Sequence, residues 1–241
     1  MFYNFHNNIM TIIIAHRGFI YFKELNNCKD NSYNSISNAI INNFDMIEVD
    51  IQLTKDNIIV LYHDLFIKNL LISELNYNEL HNIDSDILTL NELFLIKGNT
   101  KMIYLDLKGA DKLANKLIDY FNNNLHIFND YKNNIYICSF NKVHLEIINH
   151  HLNYTNCIYN KKIKLGLITD NKILENDIEI LINQFNKLSV ICFNWNILNN
   201  KIIEKLQERS IEIYCFTCTN KYVLNEINKY KIDGIVSDIL L

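Results

Sequence analysis

Along the chain, apolar and β-branched runs of four to six residues alternate with longer stretches whose apolar positions recur every three to four residues. The first pattern predicts strands and the second amphipathic helices, so the chain reads as a succession of βα units. Strands are predicted at residues 11–15, 46–53, 58–62, 102–107, 135–139, 164–168, 189–193, 211–216 and 234–236. Helices are predicted between them, at residues 32–42, 90–96, 111–122, 142–150, 174–186, 198–207 and 221–229. The turn Thr54-Lys55-Asp56-Asn57 is too short for a parallel crossover, which makes 58–62 an antiparallel return. Eight strands then remain, and with seven helices they predict a (β/α)8 TIM-type barrel with a small insertion after the second strand, at residues 69–86, over the barrel mouth. One domain spanning 1–241 is expected, without internal repeats.

Composition narrows this picture. Of the 241 residues, 49% are apolar and 21% charged, enough for a large core. A formal charge of −4 argues against a broad nucleic-acid surface and leaves room for a small anionic ligand. No apolar run is long enough to span a bilayer, and the first ten residues lack a basic leader, so a soluble cytoplasmic protein without a signal peptide is expected. The six cysteines sit mostly in strand-like runs and read as buried free thiols. Cys215 and Cys218 form a C-x-x-C, but residues three apart on a strand point to opposite faces, against a redox or zinc pair. Without proline, asparagine-rich stretches serve as turns.

Chemistry concentrates at strand ends. Glu48 and Asp50 lie two apart on one strand and share a face, and Asp106 and Lys108 do the same on the next parallel strand. Since parallel barrel strands have no solvated side face, these groups must point into the barrel. Three converging carboxylates call for a compensating cation, and all-oxygen ligation favours Mg²⁺ or Ca²⁺. His16 ends the first strand and His63 the antiparallel return, which places an acid/base pair at the carboxyl-end rim. Arg17 and Lys108 are expected to hold phosphate oxygens. His6, His81, His126, His144, His150 and His151 are expected to be solvated, and Trp195, Tyr62, Phe140 and Phe216 to belong to the core, although Phe140 and Phe216 end strands on the presumed active rim.

In order and spacing, His16-Arg17-Gly18, Asn31-Ser32, Ile47-Glu48-Val49-Asp50, Thr54-Lys55-Asp56 and His63-Asp64 resemble the glycerophosphodiester phosphodiesterase family. The resemblance continues through Thr89-Leu90-Asn91-Glu92, Asp106-Leu107-Lys108, Ser139-Phe140, Phe216-Thr217 and Asp233-Gly234-Ile235-Val236-Ser237-Asp238. It implies a TIM-type barrel enzyme that hydrolyses glycerophosphodiesters to glycerol 3-phosphate and an alcohol. His16 and His63 would be the catalytic acid and base, in an order left open. Glu48, Asp50 and Asp106 would be metal ligands, and Arg17 and Lys108 phosphate contacts. Asp30 and Asp106 replace family glutamates, and the loop from Gly18 to Asp30 is long. Asp-x-Lys is also similar to the sphingomyelinase D-like phospholipases, which release cyclic phosphates from choline lipids. The third alternative is a catalytically silent barrel that binds a phosphorylated ligand.

Overall fold

A computed structural model of the chain describes residues 2–4, 9–20, 28–97, 101–130 and 133–241. Eight parallel strands run through it: β1 (Ile9–Ala15), β2 (Met46–Leu53), β3 (Met102–Leu107), β4 (Ile135–Ser139), β5 (Ile163–Thr169), β6 (Leu188–Asn194), β7 (Glu212–Cys218) and β8 (Gly234–Ser237). Each pairs with its sequence neighbour, and β8 pairs with β1 through Gly234↔Ile12 to Ser237↔Ala15, closing the barrel predicted from the sequence.

Alternation along the strands divides the apolar residues into two layers. Outward side chains such as Ile47, Val49, Ile51, Ile103 and Leu105 pack beneath the helices. Inward ones, among them Ile14, Met46, Tyr104, Tyr136, Cys192 and Tyr214, fill the barrel with a separate cluster. The interior is therefore a packed plug whose polar layer can lie only at its ends. At one end Tyr136 and Tyr214 donate to the Glu212 carboxylate at 3.0 and 2.7 Å. The opposite end holds the candidate site residues.

The insertion follows β2. Ile59–Leu61 returns antiparallel along β2, a two-residue hairpin pairs Phe66–Ile67 with Leu70–Leu71, and a short helix covers Tyr77–Ile83. Val60, Ile67, Ile72, Leu80 and Ile87 give it a small core of its own. Among the described residues, the elements not legible as periodic patterns include the five-residue helix His126–Asp130, and Phe2–Asn4, which pairs antiparallel with the start of β1. His6 and much of the loop between Gly18 and Asp30 lie outside the described residues.

Two sequence expectations change. A register shift between Cys215 and Cys218 breaks the alternation of β7, so both thiols pack in the outer core instead of on opposite faces. Both remain free, as do the other four cysteines. His144, expected on a solvated helix face, is buried. Its helix, Lys142–Tyr154, turns the His144, Leu145 and Ile148 positions inward. The imidazole Nε2–H donates to the Ala110 carbonyl at 3.1 Å while Nδ1 meets the Ser139 hydroxyl at 3.0 Å. Burial pushes its pKa below the ordinary 6.5. The unfolded chain then binds the proton more readily, so this contribution to stability is whole above about pH 6.5 and is lost as pH falls through that value toward the folded pKa. Urea midpoints should accordingly drop more between pH 7 and pH 5 in the wild type than in His144→Gln; equal drops would refute the assignment.

Candidate active site

On β2 the inward positions run Met46, Glu48, Asp50, and on β3 Met102, Tyr104, Asp106, with Lys108 following. Strand register sets Glu48 beside Tyr104 and Asp50 beside Asp106. One carboxylate oxygen from each of Glu48, Asp50 and Asp106 lies within 4.8 Å of the others. All three residues are at most 6% exposed. Burial first, and then the charges of Asp50 and Asp106, push the Glu48 carboxyl well above the usual range. Burial pushes Asp106 up to about 7 against the opposing pull of Lys108. Burial alone would lower the Lys108 ammonium, but Asp106 and Asp50 outweigh it and hold it above the ordinary lysine value. Its Nζ lies 2.6 Å from Asp106 and 3.3 Å from Asp50.

Asp106 Oδ1 is buried without a hydrogen-bond donor among the described residues. An orphaned buried carboxylate oxygen, within an all-oxygen set of three acids, fits a hard divalent cation. Asp50 is held more firmly. The Asn31 carboxamide accepts from the Asp50 backbone N–H at 3.0 Å and donates to Asp50 Oδ2 at 2.9 Å. Arg17 Nε approaches the same oxygen at 3.2 Å, an ion pair without hydrogen-bond geometry. The Arg17 guanidinium also reaches Asp30 at 3.3 Å, and its backbone N–H donates to Glu48 Oε2 at 2.7 Å.

This last bond requires the chain to turn sharply after β1. Arg17 has φ 54°, and Gly18 follows at φ 76° with its N–H on the Glu48 carbonyl at 3.0 Å. A Cβ on Gly18 would lie 2.5 Å from Ser35 Oγ and 2.6 Å from the Ser35 backbone, so glycine is required by both conformation and space.

His16 and His63 line the same cavity, about 200 Å³, as Arg17, Lys108 and the three carboxylates. Each ring is held at Nδ1 by a carboxylate at 2.7 Å: Asp238 for His16 and the adjacent Asp64 for His63. Nδ1–H donates to the carboxylate, which leaves Nε2 of each ring for proton exchange. Phe140 and Phe216 pack edge to face at 5.8 Å on the cavity wall, and Lys108 Nζ sits 5.1 Å from the Phe140 ring. Phe140, just past the end of β4, is exposed, whereas Phe216, within β7, is partly buried and packs against the inner cluster.

A model of the "Glycerophosphoryl diester phosphodiesterase family" matches residues 16–240, almost the whole chain. The chain belongs to this family. Among solved structures it is similar to glycerophosphodiester phosphodiesterases from Thermotoga maritima (20% identity, TM-score 0.72, 95% of each chain covered) and Parabacteroides distasonis (18%, 0.75, 95% of this chain and 92% of that one). It is also similar to an Oleispira antarctica phosphodiesterase solved with the product sn-glycerol-3-phosphate (17%, 0.73, 94% and 92%). Identities this low speak for the fold alone. No curated protein sequence matches.

The family assignment bears out the resemblance read from the sequence and makes the protein an enzyme of this class. The structure also gives several residues of the family motifs scaffold contacts. Thr54 and Asp56 tie a turn, Thr54 Oγ1 donating to Asp56 at 2.6 Å. Thr89 and Glu92 cap the helix Leu90–Lys97. Ser139 ties β4 to the Leu107 carbonyl at 2.9 Å, and Asp233 accepts the Ile213 N–H at 2.8 Å. The roles of Asn31, Asp64 and Asp238 were not foreseen; their presence inside the matching motifs was the available signal. No helix among the described residues is long and apolar enough to cross a membrane.

Proposed function

We propose that this family member is a single-domain, metal-dependent phosphodiesterase that hydrolyses glycerophosphodiesters to glycerol 3-phosphate and an alcohol. The observation that supports it best is the meeting, in one cavity, of two carboxylate-held histidines, three buried acids and two cations. Glu48, Asp50 and Asp106 would hold one Mg²⁺ or Ca²⁺. When bound, such a cation stabilises negative charge on the phosphoryl oxygens.

The rest belongs to the chain. One histidine Nε2 takes the proton of the attacking hydroxyl, from water or from the substrate's own glycerol, and the other protonates the leaving alkoxide. Asp238 and Asp64 fix the ring tautomers. Arg17 and Lys108 place positive charge beside the phosphate, and the packed floor below Tyr104 keeps bulk water out.

A second reading keeps this site but ends at a cyclic phosphate, as in the sphingomyelinase D-like enzymes; the shorter Asp106 favours it. Incubation with glycerophosphocholine and glycerophosphoethanolamine under Mg²⁺, Ca²⁺ or Mn²⁺, read by phosphorus NMR, decides. Glycerol 3-phosphate is expected, persistent cyclic phosphate would transfer the case to the second reading, and no product with any cation would remove both.

A further inference from the structure

Gln52 follows Glu48 and Asp50 at the next inward position of β2, yet it does not line the catalytic cavity. It is 3% exposed. A buried carboxamide must find partners for its N–H groups, and both acceptors here lie on the segment that carries His63. Gln52 Nε2 donates to the Tyr62 carbonyl at 3.0 Å and to the Asp64 carbonyl at 2.6 Å. Two carbonyl acceptors dictate that the amide nitrogen, and not its oxygen, faces this segment. One side chain therefore grips the backbone on both sides of His63.

The need for this grip follows from the ladder between β2 and its antiparallel return. The register Ile51↔Leu61 sets Tyr62 opposite Asp50, and the Tyr62 N–H donates to the Asp50 carbonyl at 3.1 Å. In a hydrogen-bonded antiparallel pair the reciprocal bond would run from the Asp50 N–H to the Tyr62 carbonyl. That N–H donates instead to Asn31 Oδ1 at 3.0 Å. Fixing Asp50 through Asn31 thus takes away the ladder partner of the Tyr62 carbonyl, and Gln52, two residues along the same face, replaces it. His63 is sensitive to this replacement, because it stands two residues beyond the return strand Ile59–Leu61. Its side chain is 38% exposed and that of Asp64 72%, so little packing holds either one. The backbone beneath them must set the 2.7 Å contact between the ring and its carboxylate.

We propose that Gln52 is a positioning residue for His63. By clamping the carbonyls of Tyr62 and Asp64 it fixes the backbone from which the imidazole and its Asp64 partner project, and with it the aim and the tautomer of the ring. Gln52 acts through His63 and not on the substrate. The proposal rests on the diesterase reading above.

Gln52→Met keeps the volume and removes both donors. Its kcat on glycerophosphocholine should fall about 10–100-fold, the cost of misplacing a reacting group by up to an ångström, with KM within about twofold. A merely structural role would lower activity in any background. A positioning role would not: added to His63→Ala, Gln52→Met should cost less than about a further twofold. The rise in Tm with Ca²⁺ should match that of the wild type, since Asn31 and Arg17 hold Asp50 independently. Nitrogen NMR of the neutral imidazoles reads the ring without substrate, the His63 signals being those missing from His63→Ala. They should report a protonated Nδ1 in the wild type and a shift toward protonated Nε2 in Gln52→Met. Gln52→Asn, too short to span both carbonyls, should repeat these changes and serves if Gln52→Met does not fold. A kcat within twofold of the wild type, an equal loss with and without His63, a lost Tm rise or an unchanged tautomer would overturn the assignment and leave the diesterase standing. No turnover of any glycerophosphodiester by the wild type would overturn the diesterase, and the NMR comparison alone would then decide the clamp.

Discussion

His16→Ala is expected to lower kcat on glycerophosphocholine by about 10²–10⁴-fold, the usual worth of a positioned acid or base. The loss should fall on kcat more than on KM, because the imidazole acts on a proton in flight and leaves the charges of Arg17 and Lys108, proposed to bind the phosphate, in place. Folding should survive, since the ring is partly exposed at the rim and its one polar partner among the described residues is Asp238. Asp238→Asn offers a finer check. It keeps the ring at the cavity but weakens the hydrogen bond that sets which nitrogen carries the proton, so its loss should be smaller than that of His16→Ala and should shift the pH–rate profile. His63→Ala should match His16→Ala in size. If His16→Ala retains activity within twofold of the wild type, His16 is not a catalytic group.

Much of this site could be read from spacing because the barrel converts sequence period into geometry. A two-residue repeat on β2 and β3 sends Glu48, Asp50, Asp106 and Lys108 inward whatever the loops do, and the last inward positions of a parallel strand must reach the rim. The histidines follow from the same rule, one step past a strand end. What could not be read depends on contacts between distant segments. Asp238 reaches His16 across 222 positions of sequence. Asn31 grips Asp50 from a loop at φ 58°, which no periodicity encodes. His144 shows the opposite failure: a polar residue type suggested solvent, whereas hydrogen bonds to Ser139 and Ala110 satisfy it in the core. For Phe140 residue type suggested core and its place at the end of β4 suggested the rim, and the place decides its exposure. The cysteine pair on β7 failed for a geometric reason, since alternation holds only while strand register does.

Removal of the metal should abolish turnover, and its return should be visible without any substrate. Three buried carboxylates that repel one another, with Glu48 and Asp106 both pushed upward, hold the cation-free protein below its attainable stability. A cation that binds the folded chain at a hundred times its Kd adds about 2.7 kcal/mol. For a chain of this length that corresponds to a rise of roughly 5–10 °C in Tm. The wild type, stripped with a chelator and titrated with Mg²⁺ or Ca²⁺, should show such a rise. Asp50→Asn should not, because the amide retains an acceptor for Asn31 but gives up the charge that a hard cation requires. The two cations also discriminate between site geometries. Asp106, one methylene shorter than the glutamate it replaces, leaves room for an additional water and suits the longer, more flexible ligation of Ca²⁺, so the larger shift is expected with Ca²⁺. Full activity after exhaustive chelation, together with a Tm indifferent to every divalent cation, would show that Lys108 and Arg17 suffice to neutralise the carboxylates and that the cluster is not a metal site.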